Sequence, residues 1–410
     1  MAIKISGTLE SDGNYPVAYS NAIAYGNRTL AEFVKDVIPG KTILNIRSLE
    51  DFVVASRTNL TVVDGGVKYT ATANGAKPQL DVILPGVDLS DNECIDFVFT
   101  AKNCAYFTLY FSSDTSFGKY FNQACNSTTF YPIKPGLNRL RIRRPSWSVS
   151  GGESWMNSFV RMRVYLTCSA SAIGEFTFHS IEKNVKNPTV VILSFDDLLA
   201  SHYTMLYPYA TAKGLKFSLS SVAENIGEAG YLTLAQMREV YNDGHEFVIH
   251  SGSDWTTLDE TARNYNINLQ INTLKENGFL KGVHHCCYPL AKYNDDVIAS
   301  LQAAQVYTGR MWDNASSVNY PLDNPYHLLA VPMKSTTTAA TLISRTKLVM
   351  ANGGGTLIVG GHGIVESGAT ELSINQAELE GYLDWLALVV GNGLVKNYTF
   401  SEWYNFLGDN

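Results

Sequence analysis

Residues 189–202 read TVVILSFDDLLASH, and the meaning of this stretch decides the fold. Val190, Val191, Ile192 and Leu193 form an unbroken apolar run, the signature of a strand covered on both faces. The run stops at Asp196 and Asp197. Asp is disfavoured in strand interiors, and two uncompensated carboxylates beside an apolar core are costly. Either the strand ends in solvent there, or something cationic sits at its tip.

Working outward, apolar runs recur at 189–195, 216–220, 246–249, 282–289, 306–311, 356–360 and 394–400. Helical patterns fall between several of them: TLAQMREVYND (233–243), DDVIASLQAAQ (295–305) and NQAELEGYLDWLALVV (375–390). This rhythm predicts a parallel α/β barrel of seven strands, TIM-like, over 188–410. Upstream the texture differs. CIDFVFT, YFTLYFS, LNRLRIRR, FVRMRVYLT and EFTFHSIE alternate in polarity and are separated by Gly, Asn, Ser and Pro. Residues 41–183 therefore read as a jelly-roll-like β-sandwich, with EKNVKNPT (182–189) as a linker. Residues 1–40 hold one helical pattern, NRTLAEFVKDVI, and read as an arm or adaptor. Arg139, Arg141 and Arg143 alternate on one strand face, which predicts a solvated sheet face in preference to an anion-binding stripe.

The 410 residues suit two or three units, and 45% hydrophobic with 17% charged residues is a core-forming composition. A net charge of −7 argues against nucleic acid as the main partner. The aromatic fraction of 11% suits β-structure and also surfaces that stack on sugars. Six cysteines without CxxC spacing read as free, buried thiols. No apolar run is long enough to span a bilayer, and MAIKISGTLESDGNYP lacks the hydrophobic segment of a signal peptide. Synthesis in a cytoplasm is expected, with no membrane insertion.

In parallel barrels reactive groups gather at the C-terminal strand ends. Here the first strand ends in Asp196 and Asp197, the 246–249 strand in HSGSD with His250 and Asp254, and the 356–360 strand in GGHG with His362. Asp, His, Asp and His are the residue types of a metal site with an acid and a base. Each has a plainer reading taken singly: a His after a strand is usually a loop hydrogen-bonder, and Asp254 before Trp255 can cap a helix. Their joint placement favours the site. The remaining histidines (His179, His202, His245, His284, His285, His327) read as structural.

Taken in order, SFDD, GHEFVIHSGSD, CYPLAKYN and IVGGHG resemble the motifs of polysaccharide deacetylases of the NodB-homology type, carbohydrate esterase family four, over about residues 188–405. The resemblance implies a distorted seven-stranded barrel holding one divalent metal, zinc first, with cobalt, nickel or manganese as alternatives. It implies Asp196 as catalytic base, Asp197, His250 and Asp254 as metal ligands, and His362 as general acid. The backbone N–H of Leu290 would share the oxyanion with the metal.

Two departures stand out. Asp254 replaces the usual His, and the third motif, Cys287-Tyr288-Pro289-Leu290, lacks the arginine that orients the base. Arg310, at the end of the next strand, is the candidate replacement, set against a surface arginine.

The resemblance points to an acetylated bacterial polysaccharide as substrate (capsule, exopolysaccharide or O-antigen), N- or O-linked. The opening MAIKISGTLESDGNYPVAYSNAI resembles bacteriophage tail fibre and tailspike proteins. That would imply a virion setting, phage tail partners and a homo-oligomer, commonly a trimer. A cytoplasmic or non-classically released bacterial protein is the alternative setting. The functional rival is a non-catalytic glycan-binding adhesin with a degenerate barrel. A two-carboxylate glycoside hydrolase ranks below both, because Asp196 and Asp197 are sequence neighbours rather than carboxylates facing each other across a sugar.

Overall fold

In the computed structural model the described residues are 24–25, 28–29, 41–126, 133–184, 187–313, 318–319 and 324–409. The tail-fibre-like opening lies outside them, as does most of the NRTLAEFVKDVI pattern. The part of that pattern that is described is not helical: Arg28–Thr29 pairs antiparallel with Ala24–Tyr25. Backbone packing divides the chain into two compact units, with the break between Asn187 and Pro188.

The first unit is built on antiparallel strands: β1 (Lys41–Asn45), β2 (Leu60–Val63), β3 (Gly66–Thr70), β4 (Gln79–Asp88), β5 (Cys94–Lys102), β6 (Cys104–Ser112), β7 (Tyr120–Cys125), β8 (Gly136–Arg143), β9 (Ser148–Ser150), β10 (Ser158–Cys168) and β11 (Glu175–Lys183). One sheet runs β8-β5-β11-β3-β2, with β1 also on β11, and the other runs β9-β7-β6-β10-β4. Alternation puts Phe107, Leu109 and Phe111 of β6 inward, against Phe97, Phe99, Phe176 and Phe178 from the facing sheet. Phe99 stacks on Phe176 at 4.7 Å and meets Phe107 edge-on at 5.2 Å. This aromatic core explains much of the ring content.

The arginine face of β8 is a correction. Arg141 is 1% exposed and Arg139 is also buried. Arg141 sits opposite Asp96 in the ladder and holds it through Nε (2.7 Å) and Nη2 (2.8 Å). Arg139 reaches Asp96 and Glu182, both at 3.0 Å. Cross-strand carboxylates thus take up these two guanidiniums, and the face is an ion-pair cluster instead of a solvated surface.

The second unit is a closed barrel of seven parallel strands: β12 (Thr189–Phe195), β13 (Ser218–Ser221), β14 (Glu246–Ile249), β15 (His285–Cys287), β16 (Thr308–Trp312), β17 (Leu328–Pro332) and β18 (Gly355–Gly361). They neighbour one another in that order, and β12 closes the ring on both β18 and β13. Helices α1 (Leu234–Asn242), α2 (Glu260–Glu276), α3 (Asp295–Ala303), α4 (Ala339–Ala351) and α5 (Gln376–Gly391) lie among the connections. Sequence reading missed β17 and placed its seventh strand at 394–400. There only Lys396–Asn397 is extended, as a two-residue addition to β12.

The seam between β12 and β18 is the longest, seven residues in register from Thr189↔Gly355 to Phe195↔Gly361. A Cβ on Gly360 would lie 1.6 Å from the Ser194 carbonyl oxygen. No larger residue fits that contact, so the Gly-Gly before His362 is a packing requirement that sets the reach of the motif.

Candidate active site

Phe195↔Gly361 is the last pair of the long seam, so Asp196 and His362 emerge side by side at adjacent strand ends. The Asp196 N–H donates to the Gly361 carbonyl at 2.8 Å, anchoring the exit of β12. Asp197 and Leu198 then turn left-handed, with φ of 74° and 59°. Asp tolerates this conformation better than Leu, whose strain must be offset by its complete burial. The turn keeps Asp196 pointing into the barrel while Asp197 sits at its rim.

Asp196 is 1% exposed and surrounded by donors. Arg310, with no exposed surface, clamps both carboxylate oxygens, Nη2 on Oδ1 and Nη1 on Oδ2 at 3.1 Å. Ser220 Oγ donates to Oδ1 at 2.7 Å, and Trp312 Nε1 donates to Oδ2 at 2.8 Å. A carboxylate offers about four lone-pair sites, and all are engaged. Burial by itself would raise the pKa of Asp196. The guanidinium beside it, with help from His250 and His362, instead holds it far below the carboxylate range. The guanidinium that contacts Asp196 thus comes from the strand after the third motif, and Arg310 is buried instead of at the surface. Arg310 and Trp312, two residues apart on β16, present to the same carboxylate, as strand alternation allows.

His250 follows β14 and is 6% exposed. Its Nδ1 lies 2.7 Å from the Cys287 carbonyl, an atom that can only accept, so Nδ1 carries the proton. In the neutral ring Nε2 then bears the lone pair, and it faces Asp197 Oδ1 at 3.5 Å. Burial lowers the basicity of His250, but the carboxylates of Asp197 and Asp196 more than restore it. Asp197, the nearer of the two, is the carboxylate that would favour a cation at Nε2. His362 Nε2 stands 4.0 Å from both Asp196 Oδ2 and Asp197 Oδ2.

A divalent ion bonded at about 2.1 Å to two ligands in tetrahedral geometry separates them by roughly 3.4 Å. Asp197 and His250 match that edge, and the His250 tautomer is already the ligating one. Asp254 does not join them. Its Oδ1 accepts the backbone N–H of Thr256 (3.0 Å) and the Thr256 hydroxyl (2.6 Å), capping the turn that begins at Trp255. Its Oδ2 accepts from Lys292 Nζ at 2.7 Å. Among the described residues no group of three or more His, Cys, Asp or Glu side chains comes together to hold a metal. The structure thus gathers Asp196, Asp197, His250, His362 and Arg310, with Asp254 paired elsewhere. Leu290 tops β15 in a left-handed turn (φ 54°), its side chain 69% exposed.

Sequence reasoning treated His202 as a structural residue, but it touches the site. Fully buried, it places Nε2 2.7 Å from the His362 carbonyl, and so fixes the backbone of the Gly-Gly-His-Gly loop. Burial pushes its pKa down to about 4. His245 is likewise pushed down to about 4, and His285 to about 3, burial being the leading cause in both. In the unfolded chain each titrates near 6.5, so between pH 6.5 and 4 the unfolded state binds more protons and acid favours it. Each costs up to roughly 2 kcal/mol by pH 5. His250, with its raised value, works in the opposite direction. The urea midpoint is expected to fall from pH 7 to pH 5, and a flat profile would contradict the buried neutral assignments.

The family model Polysaccharide deacetylase matches residues 183–309. That span carries Asp196, Asp197, His250, Asp254 and Leu290 and stops just short of Arg310. The matched span falls almost wholly within the barrel unit. Among solved structures, a deacetylase from Streptococcus pyogenes, PplD in complex with acetate, is similar at 19% identity, over 38% of this chain and 70% of its own, with a TM-score of 0.35. A family 4 carbohydrate esterase from Streptomyces lividans, also in complex with acetate, is similar at 13% identity, over 53% and 95%, with a TM-score of 0.36. No curated protein matches the chain.

Proposed function

We propose that the barrel is a metal-dependent hydrolase that removes acetyl groups from a bacterial surface polysaccharide. The observation that carries this reading is the convergence of an Arg310-bound Asp196, a rim pair Asp197–His250 and His362 within 4.0 Å of both carboxylates. The family match over residues 183–309 supports a deacetylase-type hydrolytic activity in general.

Asp197 and His250 would hold the cation, which when bound supplies a low-pKa water and polarises the acetyl carbonyl. The chain's own residues do the rest. Arg310, Ser220 and Trp312 keep Asp196 ionised and fixed in direction, so that it can take a proton from water as the new C–O bond forms. The Leu290 backbone N–H would serve the oxyanion. His362, held at its carbonyl by His202, would return a proton to the leaving amine or alcohol. An amide substrate needs that proton more than an ester does, because amine anions leave poorly.

The saturation of Asp196 by four donors favours a second reading, a glycan-binding barrel without turnover. A proton can reach this carboxylate only if one donor lets go. The virion setting and a trimeric assembly remain part of the proposal and rest on the resemblance of the opening residues to tail fibres. One experiment separates the readings. Purified capsular and other acetylated glycans are incubated with the full chain and one equivalent of zinc, and the acetyl methyl signal is followed by NMR. Release of free acetate is expected, and binding without any release would establish the second reading.

A further inference from the structure

All six cysteines are free, and two of them face each other. Cys168, the last residue of β10, is the ladder partner of Cys104, the first residue of β6. Directly paired residues of antiparallel strands have Cα atoms roughly 4.5–5.5 Å apart, inside the window of about 4.4–6.8 Å that a disulfide accepts. The other four cysteines pair with different residue types: Cys94 faces Arg143, Cys125 faces Phe107, Cys286 faces Ile249 and Cys287 faces Arg310.

Local structure turns both sulfurs the same way. Strict alternation from the inward Phe107 would send Cys104 outward. The ladder instead steps from Thr167↔Tyr106 to Cys168↔Cys104, so Ala105 is an extra residue and Cys104 returns to the core face. Both sulfurs then meet the start of β11. The Cys104 thiol donates to the Glu175 carbonyl at 3.2 Å. A Cβ on Gly174 would lie 2.5 Å from Cys168 Sγ, so glycine there makes the room. The two thiols also interact with each other.

We propose that Cys104 and Cys168 are a dithiol–disulfide pair that, given a small-molecule disulfide such as oxidised glutathione, closes into a covalent lock between β6 and β10. Cys104 is half-buried and Cys168 is buried, so Cys104 is the thiol that an oxidant reaches. Having lost its proton to solvent, the Cys104 sulfur attacks one sulfur of the small disulfide. A mixed disulfide forms, and one glutathione leaves as thiolate. The Cys168 sulfur, its proton likewise lost, attacks the Cys104 sulfur and expels the second glutathione. Two protons end on two glutathione thiols; the protein dithiol is oxidised and the small disulfide reduced. Burial, and after it the neighbouring Cys168, push the Cys104 thiol up to about 12, so the attack is slow at neutral pH. The pair is therefore a lasting clamp instead of a fast sensor. It stays open in a reducing cytoplasm and closes outside one, whichever activity the barrel has.

The full chain is held with excess oxidised glutathione at about pH 8.5, near the ordinary thiol pKa, then alkylated and digested. The expected result is a peptide pair joined through Cys104 and Cys168. The intact chain should lose about 2 Da, and the calorimetric midpoint of the unit that holds the pair should rise by roughly 5–15 °C. Cys104→Ser and Cys168→Ala, treated alike, should gain neither the link nor the shift. A lasting mixed disulfide on Cys104 beside a free Cys168 would overturn the proposal, as would full alkylation of both thiols. A link that leaves the midpoint unchanged or lowers it would defeat the lock. Should a variant fail to fold, the peptide map and the two midpoints of the unsubstituted chain, reduced and oxidised, still decide.

Discussion

Arg310→Met is expected to cost the barrel about 3–5 kcal/mol, because it strands the buried Asp196 carboxylate without its ionic partner. Ser220 and Trp312 would still donate to the two oxygens, but neither brings charge. The loss should be partly recovered in Asp196→Asn/Arg310→Met, where no buried charge remains. Denaturant unfolding of the single and double variants at pH 7 provides the comparison. If the double variant is as unstable as the two single losses added together, the pair is not coupled, and Arg310 is not what holds Asp196. Asp196→Asn alone leaves Arg310 buried and unneutralised, so it should lose stability as well as rate.

The second large effect is on catalysis. General acid–base groups contribute roughly a hundred- to ten-thousand-fold. Asp196→Asn should lose that much on an acetylated glycan and on an activated acetyl ester alike, because both need the proton taken from water. His362→Ala should be nearly inactive on the glycan yet much less impaired on 4-nitrophenyl acetate, whose leaving group departs without a proton. Initial rates on the two substrates give the answer. Equal loss on both would remove His362 from the general-acid role and leave it a structural part of the loop.

The barrel was legible where chemistry and period coincide. The run at 190–195 with its terminal aspartates, the 246–249 strand before His250 and the Gly-Gly before His362 each carry a local rule: full burial, strand end, close backbone approach. Leu328–Pro332 escaped although Leu328 to Val331 are all apolar, because Pro332 reads as a break and argues against a central strand. Residues 394–400 are apolar for a different reason: Val395 and Phe400 are buried around a strand of only two residues. Within the site, Arg310 reads in sequence as either a replacement for the missing arginine or a surface residue, and its burial against Asp196 excludes the second; Trp312, two residues on, was not singled out. Ser220, His202 and Lys292 were not readable. A serine in a strand, a histidine within a helix-forming stretch and a loop lysine are common everywhere, and only the closed ring shows which atoms they meet. Asp254 shows the limit from the other side, since a motif position can be right in sequence while its carboxylate faces a lysine.

The seams of the barrel differ widely in length. Beside the seven-residue seam of β12 and β18, β14 meets β15 at a single register pair, Ile249↔Cys286. The His250 side chain, through its hydrogen bond to the Cys287 carbonyl, stitches across that shortest join one residue further on. Local unfolding of the barrel is cheapest where the ladder is thinnest, and there it would carry His250 away from Asp197. A cation gripping both residues would act as a rivet. By linkage, whatever free energy it gains on binding is added to the work of prising these two strands apart, so occupancy of the site and resistance of the wall to opening rise together.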